Sequence, residues 1–323
     1  MVEILTLRKD ELDAWFEHCV YVFSGGREDP LLKGTFMNHF YMDPNRNLEG
    51  ILVAIEGDQI ISTVRIFGRK AYFWGKEITV GGIGEVSTRP EHQGKGLAYR
   101  LLKEAVEQMR EKGIVLSMLR GTATIYCKLG WIKTTAYMKI ATVIGRNELA
   151  YHMRPADFNY DCHLLKSVYK EFSKRFNGAF TRDNDFYWKF WVKMESRNLW
   201  VIEDENYNFI GYIDFSYAVG CIQINEFCVL HGFDEIFDQV VSKLCFMMGE
   251  KAMDVKFESL IQSRLDTKRL ESNETGMFLL LNPISIGSEV INETEQLVKK
   301  LNIMAETSQH PVSQVLFWGI DSF

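Results

Sequence analysis

The chain has 323 residues, of which 46% are hydrophobic and 25% charged, and its formal net charge is −6. That composition is globular, the length suits two domains, and the acidity argues against a general nucleic-acid-binding surface. The opening Met1-Val-Glu-Ile-Leu-Thr-Leu-Arg-Lys lacks the layout of a leader, and no uncharged run approaches the roughly 18 to 20 residues that span a bilayer, so a cytoplasmic protein with no membrane partner is expected. Six cysteines with no C-x-x-C pair, and seven histidines without ligand spacing, predict reduced thiols and no metal.

Residues 2–7 predict a strand, 10–23 a helix and 30–41 a second helix after the Gly25-Gly26 break. A hairpin is expected from the apolar runs 51–55 and 60–67 around Gly57-Asp58, followed by strands over 72–80 and 82–88. From Gly96 the period changes. Leu97, Leu101, Leu102, Ala105, Val106 and Met109 share one helical face, and Gly113 follows as a stop. A buried strand over 115–119, a short helix over 122–129 and a closing strand over 135–143 complete a first domain, 1–145.

The remainder, 146–323, replays this order. Helical patterns lie at 164–176 and 183–192, and Leu199-Trp-Val-Ile-Glu-Asp-Glu-Asn-Tyr-Asn-Phe-Ile-Gly-Tyr-Ile repeats the hairpin. Ile224-Asn-Glu-Phe-Cys-Val lines up with Ile83-Gly-Glu-Val-Ser-Thr, placing Glu226 opposite Glu85. Where the first copy has its glycines, the second has Leu230-His-Gly-Phe-Asp-Glu, so it is expected to be a degenerate copy. A strand over 276–281, a helix over 293–301 and a last strand over 313–318 are expected to complete that second domain.

Chemistry concentrates in residues 83–113, which read as strand, glycine-bearing turn and helix. Free backbone amides and the positive end of a helix converge there, an arrangement that holds phosphate. The spacing is neither G-x-x-x-x-G-K-[ST] nor G-x-G-x-x-G, which argues against a nucleotide-hydrolysing loop and a dinucleotide fold. A lone G-x-G would be an ordinary turn.

Val86-Ser-Thr-Arg-Pro-Glu-His-Gln-Gly-Lys-Gly-Leu-Ala-Tyr-Arg-Leu-Leu resembles the acetyl-CoA motif of the GNAT superfamily of N-acyltransferases, with Gln93, Gly96 and Ala98 at its defining positions. The resemblance implies an α+β protein of two tandem GNAT-like domains, with mixed central sheets flanked by helices. It also implies acetyl-CoA as co-substrate. Backbone groups of Val86 and Thr88 would meet the pantetheine arm, and the amides of Gln93, Gly94, Lys95, Gly96, Leu97 and Ala98 would meet the pyrophosphate. Ser87 and Thr122 join the expected cofactor set.

Gly121-Thr-Ala-Thr-Ile-Tyr-Cys-Lys-Leu-Gly-Trp is similar to a segment of the enhanced-intracellular-survival family, whose members also carry tandem GNAT-like domains. That likeness makes Tyr126 the general acid, and a phenol with pKa near 10 suits a leaving thiolate with pKa near 8.5. It offers the terminal carboxylate on Phe323 as base, although the sequence is shorter than those relatives and is expected to lack the third domain that delivers their terminus. Glu85 is the competing base. Glu28 and Asp29 border the expected acceptor groove and could attract a cationic amine.

The expected reaction is direct acetyl transfer to a primary amine of a small molecule in a ternary complex. A protein or peptide N-acetyltransferase and a non-catalytic CoA-binding sensor are the alternatives. The oligomeric state is left open, a homo-oligomer included.

Overall fold

The computed structural model describes residues 2–147, 151–273 and 276–301, together with Val315, Leu316, Trp318 and Asp321. The first half runs β1 (Val2–Thr6), α1 (Leu12–Phe23), α2 (Pro30–Tyr41), β2 (Ile51–Glu56), β3 (Gln59–Phe73), β4 (Lys76–Thr88), α3 (Leu97–Glu111), β5 (Leu116–Arg120), α4 (Thr124–Lys128), β6 (Ile132–Lys133) and β7 (Ala136–Ile144). Then come β8 (His152–Pro155), α5 (Cys162–Ser173), a π-helical turn over Tyr187–Val192 that continues as α6 (Lys193–Glu195), β9 (Leu199–Glu203), β10 (Phe209–Ala218), β11 (Cys221–Val229), α7 (Phe237–Met247), β12 (Ala252–Glu258) and β13 (Thr267–Asn273). Last are β14 (Gly276–Leu280), β15 (Ile284–Ile286), β16 (Glu289–Ile291) and α8 (Thr294–Leu301).

The sequence pattern expects three strands over 60–88, whereas the structure has two. β3 runs through Gly68 and β4 through Gly81 and Gly82, because these glycines face one another in the ladder (Gly68↔Gly81, Phe67↔Gly82) instead of breaking it. The reversal falls at Trp74 and Gly75, both at positive φ (48° and 74°), as a two-residue hairpin turn requires. Gly81 also admits the Met109 side chain of α3, whose sulfur would collide with any Cβ there.

Two seven-stranded mixed sheets result, in the orders β1-β2-β3-β4-β5-β14-β6 and β13-β7-β12-β11-β10-β9-β8. Read from opposite ends they share one topology, including one parallel pair in each, β4 with β5 and β11 with β12. Each copy also shifts register beside its glutamate, between Thr63 and Arg65 opposite Glu85 and between Asp214 and Phe215 opposite Glu226.

Two strands are exchanged between the halves. β7, expected to close the first sheet, instead pairs between β12 and β13 of the second. β14, expected in the second domain, returns to pair between β5 and β6 of the first. A strand's pattern shows that one of its faces is buried but does not say in which sheet, so period alone could not place these two. The expected strand over 313–318 falls mostly outside the described residues.

The helix α3 covers one face of the first sheet with Leu97, Leu101, Leu102, Ala105, Val106 and Met109, packed on Leu52, Ile61, Val64, Ile83 and Leu119. Each large aliphatic side chain buried this way contributes about 1.5–3 kcal/mol relative to exposure. On the opposite face, α1 and α2 cover one end through Trp15, Phe16, Phe36 and Phe40. At the other end α8 packs Leu297, Val298 and Leu301 against Phe73, Met118 and Phe278. Between these two groups the ends of β4 and β5 are left for a site.

Candidate active site

The parallel ladder between β4 and β5 spans only Val80↔Leu116 to Ile83↔Leu119. Beyond it β5 ends at Arg120, while β4 runs on to Thr88 paired with β3 alone. The Ser87 carbonyl accepts the Ser62 hydroxyl on the β3 side at 2.8 Å. Backbone groups alternate in direction along a strand, so those of Val86 and Thr88 turn toward the side that β5 has vacated. An extended ligand arm could pair there as a further strand. The side chain of Ser87 points away into the α1 layer, where its hydroxyl lies 3.0 Å from His18 Nε2.

At the mouth of this gap lies the glycine turn. Gly94 and Gly96 both hold positive φ (76° and 75°), with nothing within 4 Å of where a Cβ would stand. The conformation, not crowding, demands glycine. Gly96 caps α3 with no side chain capping the helix, and the first intrahelical bond runs from the Arg100 N–H to the Gly96 carbonyl at 3.1 Å. The amides of Leu97, Ala98 and Tyr99 therefore project from the helix start without intrahelical acceptors, and the helix dipole adds to their attraction for an anion. Two side chains brace the turn, Gln93 donating to the Thr88 carbonyl at 3.2 Å and Lys95 lying 3.2 Å from His92 Nδ1.

Beyond the strand ends, Thr122 is exposed in the loop between β5 and α4, and Tyr126 sits in the middle of α4. The Tyr126 ring meets Trp131 edge-on at 6.2 Å and passes so close to Gly121 that a Cβ there would collide with it. Burial pushes its phenol above the ordinary tyrosine range, so the group stays protonated and ready to donate.

Glu85 holds an uncommon left-handed conformation, φ 51°, at the irregular register of β4. That turns its carboxylate away from α3 and toward α2. It accepts from Arg65 Nη1 at 3.3 Å and lies 3.6 Å from His39 Nδ1. Arg65 is shared with Asp43 at 2.8 Å, Asp43 also binds Arg69 at 2.8 Å, and the guanidinium of Arg65 rests on Phe67 at 4.0 Å. Glu85 and His39 face a cleft of about 520 Å³, closed on its far side by Met194, Glu195 and Arg197 of the second half. His39 bridges the two halves, since Nε2 is 4.0 Å from Glu195 and its ring leans on Trp191 at 4.8 Å. Spacing in the sequence gave no signal for His39 or Glu195, which meet only through the tertiary fold.

Of the two residues expected at the acceptor groove, Asp29 spends its carboxylate on capping α2, accepting from the Leu32 N–H at 2.9 Å, and Glu28 is exposed in the preceding loop. Phe323 lies outside the described residues. Glu226 is completely buried. It takes two hydrogen bonds from Arg182, both at 2.8 Å, and the Tyr212 hydroxyl, while Arg182 also donates to Asp321. The second copy has a closed charge cluster where the first has a largely buried glutamate that lines a cleft. Among the described residues no group of three or more His, Cys, Asp and Glu side chains is placed to hold a metal, and no helix is long and apolar enough to cross a membrane.

Residues 3–133 match the family model described as an acetyltransferase (GNAT) domain. These residues form a GNAT acyltransferase domain. No protein of curated function matches its sequence. Among solved structures it is similar to a probable N-acyltransferase from Enterococcus faecalis V583, at 15% identity and a TM-score of 0.70, over 87% of this chain and 73% of that one. It is similar also to Eis1 from Mycobacterium abscessus, at 12% identity and a TM-score of 0.61, over 87% and 74% of the two chains. A third is N-myristoyltransferase from Saccharomyces cerevisiae, solved with myristoyl-CoA, at 9% identity and a TM-score of 0.55, over 91% and 84%. At these identities the likeness concerns the fold. It extends over both sheets, so the architecture is that of tandem GNAT-like α+β domains, a fold that binds acyl-CoA.

Proposed function

We propose that the protein is an acetyl-CoA-dependent N-acetyltransferase acting on a primary amine of a small molecule, with catalysis in the first domain, residues 1–145, and a degenerate second domain over 146–323. The single observation that carries this reading is the gap between β4 and β5 beyond Ile83 and Leu119, with the positive-φ glycines and the uncapped start of α3 at its mouth. Those features suit a ligand with an extended amide-bearing arm and a diphosphate, and the residues present would hold acetyl-CoA without a metal. Val86 and Thr88 would bind the arm, and the amides from Gln93 to Ala98 the diphosphate, with Thr122 near the acyl end.

In the ternary complex the amine attacks the thioester carbonyl directly. The C–N bond forms, the C–S bond breaks, and Tyr126 supplies the proton that the departing thiolate takes up. Glu85, facing the His39 cleft, would receive the ammonium proton directly or through water, and the Phe323 carboxylate is the other base. Positioning and proton transfer supply the rate, with no covalent enzyme intermediate. The placement of Asp29 as a helix cap favours the cleft around His39, Glu85 and Glu195 over the Glu28 loop for the body of the acceptor.

The reading is tested by following thiol release from acetyl-CoA across a panel of small amines and lysine-bearing peptides. Release with small amines and not with peptides supports it. Acetyl-CoA binding without release for any acceptor would leave a sensor in its place. Extending the carboxy terminus and, separately, replacing Glu85→Gln decides the base. Loss of turnover on extension, with the milder lesion at Glu85, assigns it to Phe323, and the converse assigns it to Glu85.

A further inference from the structure

A second concavity lies where the exchanged strands meet. It is bounded by Leu119 and Arg120 at the end of β5, Met138 of β7, Phe278 of β14, Val315, and Glu258 at the end of β12. Leu119 is the last β5 residue paired to β4, so the cavity begins where the proposed cofactor gap opens. Met118 packs away from α3, and Arg120 follows it at the alternating position, so the cavity and Glu85 share the face opposite α3. Its volume is about 50 Å³, against the roughly 10–15 Å³ that one water needs, so it takes a small organic group or a few waters.

Most of the lining is apolar. The polar exceptions are Arg120, Thr134 and Glu258, and of these Glu258 has an Oε2 that is shut off from solvent and has no hydrogen-bond partner. Nor does Glu258 form an ion pair with any described residue. A buried carboxylate oxygen left without a hydrogen bond costs stability unless something else satisfies it. With no histidine, cysteine or second carboxylate beside it, a metal is a poor match. A cationic nitrogen on a short apolar arm matches both the carboxylate and the walls.

We infer that this cavity receives a second ammonium group of the acceptor, held by the Glu258 carboxylate, and not the amine that gives its proton to the base. The inference rests on the acyl-transfer reading for the word acceptor, but the binding itself does not depend on turnover. Burial raises the Glu258 carboxyl to about 7. The charged groups around it are Arg120 from β5, with Asp321 acting on that arginine, and Lys256 from its own strand, which donates to Glu271 of β13 at 2.6 Å. The facing residues of β7 and β14, Met138 and Phe278, do not titrate. An ammonium binds the ionised form, so at pH 6.5, where a group of pKa about 7 is roughly three-quarters protonated, binding must release a proton.

The test is calorimetric titration of the full chain with propylammonium at pH 6.5, in two buffers of different ionisation enthalpy, for the wild type and for Glu258→Gln. Expected are release of about three-quarters of a proton by the wild type, affinity that rises between pH 6 and pH 8, and at least tenfold weaker binding by the variant. Equal affinity in Glu258→Gln, binding by the wild type without proton release, or no binding of millimolar propylammonium would each overturn the inference. The proton count comes from the wild type alone, so it stands even if the variant folds poorly. If propylammonium binds as expected but no amine releases thiol from acetyl-CoA, the transfer reading fails and the cation site remains.

Discussion

Replacing Gly96→Asp separates the binding role of the glycine turn from its structural one. Gly96 sits at φ 75°, ψ 13°, with nothing within 4 Å of a would-be Cβ, so the new side chain meets no steric obstacle in the protein. A left-handed backbone costs an L-residue about 1–2 kcal/mol, and a carboxylate at the start of α3 returns about 0.3–1 kcal/mol through the helix dipole. The net loss of stability is then about 1 kcal/mol, or a few degrees in Tm. Binding should suffer far more. One unit charge about 5 Å from a phosphate charge, at an effective dielectric near 20, is repelled by about 3 kcal/mol, roughly a 200-fold loss of affinity.

Gly96→Ala is the control. It bears the backbone cost without the helix-dipole compensation, so it should be the less stable of the two variants and yet the better binder. Calorimetric titration with acetyl-CoA, together with thermal unfolding of both proteins, reads out the two orders. If Gly96→Asp binds acetyl-CoA within a few-fold of wild type, the diphosphate does not sit on this turn and the cofactor assignment falls.

Three further outcomes are expected. Tyr126→Phe should lower turnover by roughly 10²–10⁴-fold with little change in acetyl-CoA affinity, measured by thiol release under conditions where chemistry limits; undiminished turnover would make the ring mere packing. His18 is fully buried, donates from Nδ1 to the Ile60 carbonyl, and has its pKa lowered to about 4, chiefly by burial. Its folded value lies below the unfolded one, so the unfolded chain binds the proton first. Stability should fall by up to about 3 kcal/mol as pH drops from 6.5 to 4, and His18→Gln should flatten that slope in urea titrations. Glu226→Gln should cost about 3–5 kcal/mol in chemical unfolding, because it leaves Arg182 buried with half its partners, yet acetyl-CoA affinity should hold.

The elements with a strong period were legible from the residues alone. Pro30–Tyr41 is the helix that its spacing predicts, and α3 begins at Leu97, where the pattern changes from 2 to 3.6. The glycine turn was legible because Gly94 and Gly96 open to the backbone the left-handed conformations that other residues avoid. Partnership across the fold was not. Nothing in the spacing of Glu195 or Glu258 distinguishes them from the many solvated carboxylates of an acidic chain, since their meaning comes from His39 in one case and from an apolar cavity in the other. Asp29 shows the same ambiguity. An acidic residue ahead of a helix satisfies that helix's own amides before it attracts anything else.

The exchanged strands explain how a half without a glycine turn can still matter to a site in the other half. β14 belongs by chain order to the second half, yet it forms five registered pairs with β5, from Gly276↔Arg120 to Leu280↔Leu116. β7 repeats the arrangement in reverse, with Met138 registered opposite Glu258 of β12. Sliding the halves apart would break both ladders, so the ends of β4 and β5, the His39 cleft and the Glu258 cavity are held in one fixed relation. The contrast between the two glutamates beside the irregular registers then has a physical basis. Glu226 is locked inside the second core by Arg182, which also holds Asp321. Glu85, between Arg65 and His39, still lines a cleft. One topology built twice thus provides a rigid buttress in one copy and a carboxylate at the wall of a cleft in the other. Disturbing the buttress should alter stability first, and chemistry only through the shared strands.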